Sequence, residues 1–207
     1  AIDQRQYDAA FEALNQLILR VKDNAYESAV VLKTAGYIYV ARQETDKAIQ
    51  LLHYALNLKA LAAQNQQKLR YDLAQLMMSQ QNFPEAIEHL KAWLANATES
   101  DATPSIYARI GSAYLQVKQY TSASNYLTKA VNIADIRAKK PSEYHHQLLL
   151  TSYLEQKNYS AAISVLKRLS SYFRKNKNYR LQLVSLYDEN KQPKLALATL
   201  EVAYKQG

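Results

Sequence analysis

Four things are scarce in this chain, and each scarcity removes a class of answer. There is no cysteine, which excludes disulfides and thiolate metal sites and leaves cytosol and periplasm equally open. Glycine occurs only at Gly36, Gly111 and Gly207, and proline only at Pro84, Pro104, Pro141 and Pro193. That poverty suits a helical chain, because both residues are costly inside helices, and it excludes a glycine-rich phosphate-cradling loop. No apolar run approaches the ~18 residues that a membrane helix needs. Hydrophobic residues nevertheless make up 48% of the 207, enough for a continuous core and too many for general disorder.

What the chain does contain is a recurring pattern. Gly36, Tyr39, Ala48, Leu52 and Ala55 set a spacing that Ala74, Met77, Ala86, Leu90 and Trp93 repeat. Gly111, Tyr114, Ala123, Leu127 and Ala130 follow it, then Leu150, Tyr153, Ala162, Leu166 and Leu169, then Val184, Tyr187, Ala196, Leu200 and Ala203. Tyr7, Ala10, Leu14 and Leu17 match the second half of one more unit. This is the helix-turn-helix signature of the tetratricopeptide repeat. It predicts an all-α, right-handed solenoid of about 5.5 units and about eleven helices, forming one domain over residues 1–207. The sequence starts at Ala1 without Met or a signal-peptide pattern, in mid-repeat, and it stops at Gly207 without a capping helix. A processed or excised piece of a longer chain is the expectation.

Start signals place the helices within each unit. The first complete unit opens with a helix near Ser28 to Val40, and its partner opens near Asp46, a residue type that caps free backbone amides. The other second helices open at Asp8, Pro84, Thr121, Ser160 and Lys194, the last preceded by Pro193; Pro104 and Pro141 open or precede first helices. Small residues such as Gly36 and Gly111 let the paired helices approach, and the aromatics fill the space between hairpins. Key alanines at 10, 48, 86, 123, 162 and 196 lie 38, 38, 37, 39 and 34 residues apart. The excess over 34 is about one helical turn. With no breaker between Lys47 and Gln67, the pattern assigns that turn to longer second helices.

No catalytic constellation emerges, and the chain is expected to be neither an enzyme nor a metal or cofactor binder. His145 and His146 are adjacent, so on a helix they point about 100° apart and cannot clamp one metal as an i, i+4 pair would. His53 and His89 stand isolated on second helices. Glu85 and Glu88 favour a helix dipole at an exposed first turn better than they serve as an acid–base pair.

Recognition is the better prospect. Of seventeen tyrosines, Tyr7, Tyr39, Tyr114, Tyr120, Tyr153, Tyr159 and Tyr187 read as framework, with Tyr107 beside them in the core. Tyr37, Tyr71 and Tyr144 fall where this repeat class faces its inner groove, or else pack on the adjacent first helix. Together with Lys33, Gln75, Arg109 and Ser112 they form the candidate contacts for a protein segment, tyrosine being a large, rigid anchor. Co-chaperones of this class that capture a C-terminal carboxylate carry Lys-Asn and Lys-Arg pairs in the groove rows. Only Lys33 matches here, which argues against such a clamp. The charge of +8 is uneven: residues 1–66 carry seven basic and seven acidic side chains, whereas residues 141–207 carry ten and five. Lys167, Arg168, Arg174, Lys175, Lys177 and Arg180 form the sharpest cluster. A solvated face, a docking site for an acidic partner, and a nucleic-acid or anionic-lipid contact all remain open for it.

The chain also resembles bacterial tetratricopeptide proteins of TonB systems. The likeness is carried by residues 179–183 (Tyr-Arg-Leu-Gln-Leu), by Ala196 and the run from Leu200 to Gly207, and by residues 66–76, from Gln66 to Leu76. The resemblance implies a periplasmic scaffold that binds TonB or an associated component of the complex powering outer-membrane uptake. It supplies no catalytic residues. A cytoplasmic adaptor built on the same repeats is the alternative; a nucleic-acid-binding helical repeat would need regularly placed base-reading side chains, and the groove rows differ from unit to unit.

Overall fold

The computed structural model describes residues 12, 13, 16, 17, 20, 21, 23–137 and 142–205. Among these, every regular element is an α-helix. Ten helices follow one another as α1 (Ala25–Ala41), α2 (Thr45–Asn57), α3 (Ala63–Ser79), α4 (Phe83–Leu94), α5 (Pro104–Gln116), α6 (Tyr120–Arg137), α7 (Glu143–Glu155), α8 (Tyr159–Tyr172), α9 (Lys177–Glu189) and α10 (Pro193–Lys205). Residues 12, 13, 16, 17, 20 and 21 are helical as well. Tyr7, Asp8, Ala10, Leu14, Pro141 and Gly207, which figured in the expected repeats, lie outside the described residues. Contacts group the chain into two compact units, residues 1–96 and 97–207.

Each odd-numbered helix pairs with the next through a turn of three residues, and all five turns are built alike. Gln43, Gln81, Lys118, Lys157 and Lys191 take left-handed φ values between 54° and 63°. In the first turn the Glu44 amide donates to the Tyr39 carbonyl and the Gln43 amide to the Val40 carbonyl, both at 3.0 Å. The same two bonds recur with Asn82 to Met77, Gln119 to Tyr114, Asn158 to Tyr153 and Gln192 to Tyr187 as the longer link. This is the Schellman closure, which satisfies carbonyls the helix end would leave orphaned. Glycine normally fills its left-handed position, so these five side chains hold a conformation costing about 1–2 kcal/mol.

Turns of equal length put equivalent residues face to face. Gly36 lies against Leu52, where an added Cβ would sit 2.5 Å from Leu52 Cδ2; at Gly111 it would sit 2.5 Å from Leu127 Cγ. Leu52 and Leu127 are fully buried and have no free direction in which to yield. The expected close approach is therefore real, and the α1–α2 and α5–α6 hairpins pack most extensively. In residues 1–96 the core gathers Leu52, Ala55, Leu56, Leu61, Leu69, Leu73 and Met77. In residues 97–207 it runs through Ile110, Leu127, Leu166 and Leu169. A fully buried leucine of this kind contributes about 1.5–3 kcal/mol.

The junctions correct two expectations. Helix α2 does not run on: it stops at Asn57, Lys59 turns left-handed at φ 54°, and Leu61 is buried at 4% exposure. The Gln66 side-chain amide then donates to the Leu61 carbonyl at 2.7 Å, pinning the connection. Burial of one leucine outweighs local helix propensity here. The extra turn sits instead in α3, which has 17 residues where α5, α7 and α9 have 13. At the next junction it forms the connection 95–103, where Thr98 and Asp101 bond to each other. Among the second helices α2, α4, α6, α8 and α10, α6 alone is longer by about a turn, at 18 residues against 13 in α10. Asp46 is not a cap either; it lies inside α2, whose preceding residue Glu44 binds Arg42 at 2.8 Å and Lys47 at 2.7 Å.

Gly36→Ala and Gly111→Ala should each destabilise the protein, because overpacking costs about 1–3 kcal/mol against a helix-propensity gain of about 1. A urea midpoint that holds or rises would contradict the close approach. In the opposite direction, Gln81→Gly should add about 1 kcal/mol by relieving the left-handed strain. Lys157→Gly should add less, since a lysine at a helix C-terminus already gains about 0.3–1 kcal/mol from the dipole. No gain, or a loss, at both sites would show that the turns are unstrained.

Candidate functional site

On α3, Lys68, Asp72, Gln75 and Ser79 recur at helical spacing and so share one face. That face meets Tyr37 of α1. The Tyr37 hydroxyl donates to Asp72 Oδ2 at 2.5 Å, and Lys68 Nζ donates to the same oxygen at 2.8 Å. The Lys68 ammonium also lies 5.2 Å from the centre of the Tyr37 ring. Two successive first helices are thereby joined by a neutralised cluster of phenol, carboxylate and ammonium. Burial foremost, then the hydrogen bond to Asp72 and its charge, push the Tyr37 phenol well above its ordinary pKa, so it stays a donor. Val40 and Leu76 complete a cavity of about 380 Å³, with Gln75 and Ser79 at its edge. The cavity therefore offers an apolar floor, the exposed Gln75 amide, and the Lys68 protons that Asp72 leaves over.

The other candidates are dispersed. Lys33 stands one turn before Tyr37 on α1, half-buried. Tyr71 does not join the cavity; its ring packs 5.6 Å from that of Trp93 on α4, inside its own hairpin. Arg109 and Ser112 are half-buried on α5, and Tyr144 is 60% exposed in the first turn of α7, its ring 5.6 Å from that of His145. These three belong to residues 97–207 and Lys33, Tyr37 and Gln75 to residues 1–96. Lys68 and Asp72 were missed in the sequence, although their i, i+4 spacing on a predicted helix is a readable pairing signal.

The basic cluster is not uniform. Arg168 Nη2 is 2.7 Å from Asp135 Oδ2, and Lys167 Nζ lies 5.6 Å from the Tyr187 ring centre. Arg180 departs from the expectation of a surface charge: it is only 9% exposed, and its Nη2 donates to the Arg174 carbonyl at 2.8 Å. A long basic side chain can bury its aliphatic stem while its head stays hydrogen-bonded, which a pattern based on charge alone does not register. Arg174, Lys175 and Lys177 are exposed.

The histidines also differ from their expected isolation. His53 and His89 meet edge to face, ring centres 5.7 Å apart, because the second helices α2 and α4 bring them together. His146 is buried, its Nδ1 donating to the Ser142 carbonyl at 2.9 Å and its Nε2 lying 3.4 Å from Asp135 Oδ2. Among the described residues no three histidine or carboxylate side chains converge as metal ligands. Burial, assisted by the charges of His53 and Arg70 and opposed by Glu85 and Glu88, lowers the His89 pKa to about 4.

Hairpins of this build define the class of the fold: it is the tetratricopeptide-repeat fold. Residues 104–136 match the tetratricopeptide repeat family. Solved structures agree over most of the chain. YrrB, "a TPR protein with an unusual peptide-binding site", is similar at a TM-score of 0.61 and 14% identity, over 91% of each chain. A MamA structure labelled AMB-1 is similar at 0.62 and 16% identity, over 86% of this chain and 90% of its own. MamA from Desulfovibrio magneticus RS-1 is similar at 0.57 and 14% identity, over 86% and 94%. None of the curated proteins matches the chain in sequence.

His89 generates a pH prediction. Its folded pKa of about 4 lies below the ordinary 6.5, so between those values the unfolded chain binds a proton that the folded chain refuses. Its stabilising contribution is present above pH 6.5 and lost as the pH falls towards 4. His145, lowered by burial first and His146 next, acts in the same direction. In denaturant titrations at neutral and mildly acid pH, His89→Leu should lose less stability than the parent. Parallel pH profiles for the two chains would rule this out.

Proposed function

We propose that the chain is a non-catalytic interaction scaffold that holds a segment of a partner protein in the cavity between α1 and α3. The carrying observation is the cluster of Tyr37, Asp72 and Lys68 above the apolar floor of Val40 and Leu76. An apolar side chain of the segment fills the floor, while backbone carbonyls or a carboxamide take the remaining protons of Lys68 and Gln75. Tyr37 and Lys68 both bond Asp72 Oδ2, and the Lys68 ammonium balances the carboxylate charge, so the site favours neutral or acceptor-rich segments over cationic ones. YrrB, which shares the fold, has a peptide-binding site, and that supports a peptide as the class of ligand.

The finer proposal is that the partner is the periplasmic region of TonB or an associated component, and that the protein works in the periplasm. Its support is the resemblance carried by residues 66–76 and 179–207. No helix among the described residues is long and apolar enough to cross a membrane.

Calorimetry with the periplasmic region of TonB tests both layers. Tyr37→Ala should weaken binding about tenfold or more, as loss of an anchoring aromatic does. Tyr71→Ala, on the Trp93 side, should act mainly through stability. A photocrosslinker in place of Gln75 should capture the partner, and one in place of Gln50 on α2 should not. Full affinity in a folded Tyr37→Ala variant removes the cavity from the mechanism. Failure of every TonB-complex component to crosslink in cells removes the pathway and leaves the cavity to another protein partner.

A further inference from the structure

The connection of α8 to α9, residues 173–176, borders a second concavity that the α1–α3 site does not use. Its volume is about 920 Å³, and Tyr172, Phe173, Arg174, Lys175 and Asn176 line it, with Glu143 and Ser171 at the edge. The loop is held from beneath. Buried Arg180 donates to the Arg174 carbonyl at 2.8 Å, Arg174 Nε donates to the Ser171 carbonyl at 3.2 Å, and the Phe173 ring meets buried Tyr179 edge-on at 6.4 Å. Arg174 and Lys175 are thus exposed cations on an anchored loop.

The cations here outnumber the one acid in the lining. Among the described residues no acidic side chain pairs with Arg174, Lys175, Lys177 or Arg180. Glu143 is the one acid at the edge, and its carboxylate already accepts from the Tyr179 hydroxyl, which in turn accepts from Gln147. A buried guanidinium bonded only to a carbonyl keeps the local potential positive. Tyr172, 50% exposed beside these cations, adds an apolar face.

We propose that this turn is a second docking site, which takes a short acidic segment of a partner protein. Carboxylates meet Arg174, Lys175 and Lys177, and one apolar side chain of the segment lies on Tyr172. The occupant is acidic protein rather than nucleic acid because the basic run is shorter in space than in sequence. Lys167 is engaged by Tyr187 and Arg168 by Asp135, so the available cations crowd into residues 174–177. Nucleic acid needs cations that track successive phosphates, with aromatics to stack its bases.

Fluorescence anisotropy on the full chain tests this, with a labelled peptide of alternating glutamate and leucine and its glutamine counterpart as probes. The glutamate peptide should bind, weaken with added salt, and lose about tenfold or more in affinity when Arg174→Glu and Lys175→Glu are combined. Exposed Lys194→Glu, outside the loop, should change little. Absence of binding by the glutamate peptide, equal binding of the glutamine peptide, or full affinity in the charge-reversed chain would each overturn the proposal. Tighter binding of polyuridine RNA or of phosphatidylserine vesicles than of the glutamate peptide would overturn it too, in favour of those ligands.

Discussion

The constraint on which the rest depends is the three-residue left-handed turn. In every hairpin the residue at positive φ stands seven places after the close-packing position and nine before its partner leucine: Gly36, Gln43 and Leu52; Ala74, Gln81 and Leu90; Gly111, Lys118 and Leu127. The recurring sequence interval follows from that turn geometry. One Schellman closure fixes which faces meet, and the carbonyl that closes the turn belongs to the same repeat position each time: Tyr39, Met77, Tyr114, Tyr153 and Tyr187. Strain at the non-glycine position is tolerated because both bonds of the closure would otherwise leave helix-end carbonyls unsatisfied.

That rigidity lets weak polar contacts serve for recognition. Lys68 and Asp72 form an i, i+4 pair with Lys68 well exposed, the kind of contact worth at most about 1 kcal/mol. Its value is positional. Tyr37 reaches Asp72 because α1 and α3 are each locked to their own second helices, α2 and α4, and α2 packs on α3. The phenol, carboxylate and ammonium are then held at fixed separations before any ligand arrives, which limits the ordering cost of binding.

Legibility in the sequence followed interaction range. The five hairpins could be read because their determinants lie within one unit: small residue, aromatic, alanine, leucine. The junctions could not. Nothing local distinguishes Leu58 to Ala62 from helix, and only burial of Leu61 against the next hairpin explains the break. The same limit accounts for Tyr71, whose spacing fits either face of α3 until Trp93 occupies one of them. His53 and His89 are 36 residues apart in sequence, and their rings meet from two different second helices, α2 and α4. Arg180 escaped for another reason: charge patterning counts a guanidinium as surface, whereas its stem can be buried while its head bonds to a carbonyl.

Variation concentrates in the connections that lead from a second helix to the next first helix. The turns inside hairpins are interchangeable in geometry. The connections are not: 58–62 is apolar and pinned by Leu61, 95–103 is acidic and closed by Thr98 with Asp101, and 173–176 is basic and anchored on Arg180. In a stacked-repeat protein the elements that must repeat carry the packing, so chemistry can diverge only where packing does not dictate the residue. Thr98 bonds to Asp101 and closes its loop on itself, leaving few groups unsatisfied. The loop at 173–176 is instead held by backbone and aromatic contacts that leave its cations outward. Packing alone supplies no reason for that arrangement, and an anionic partner does.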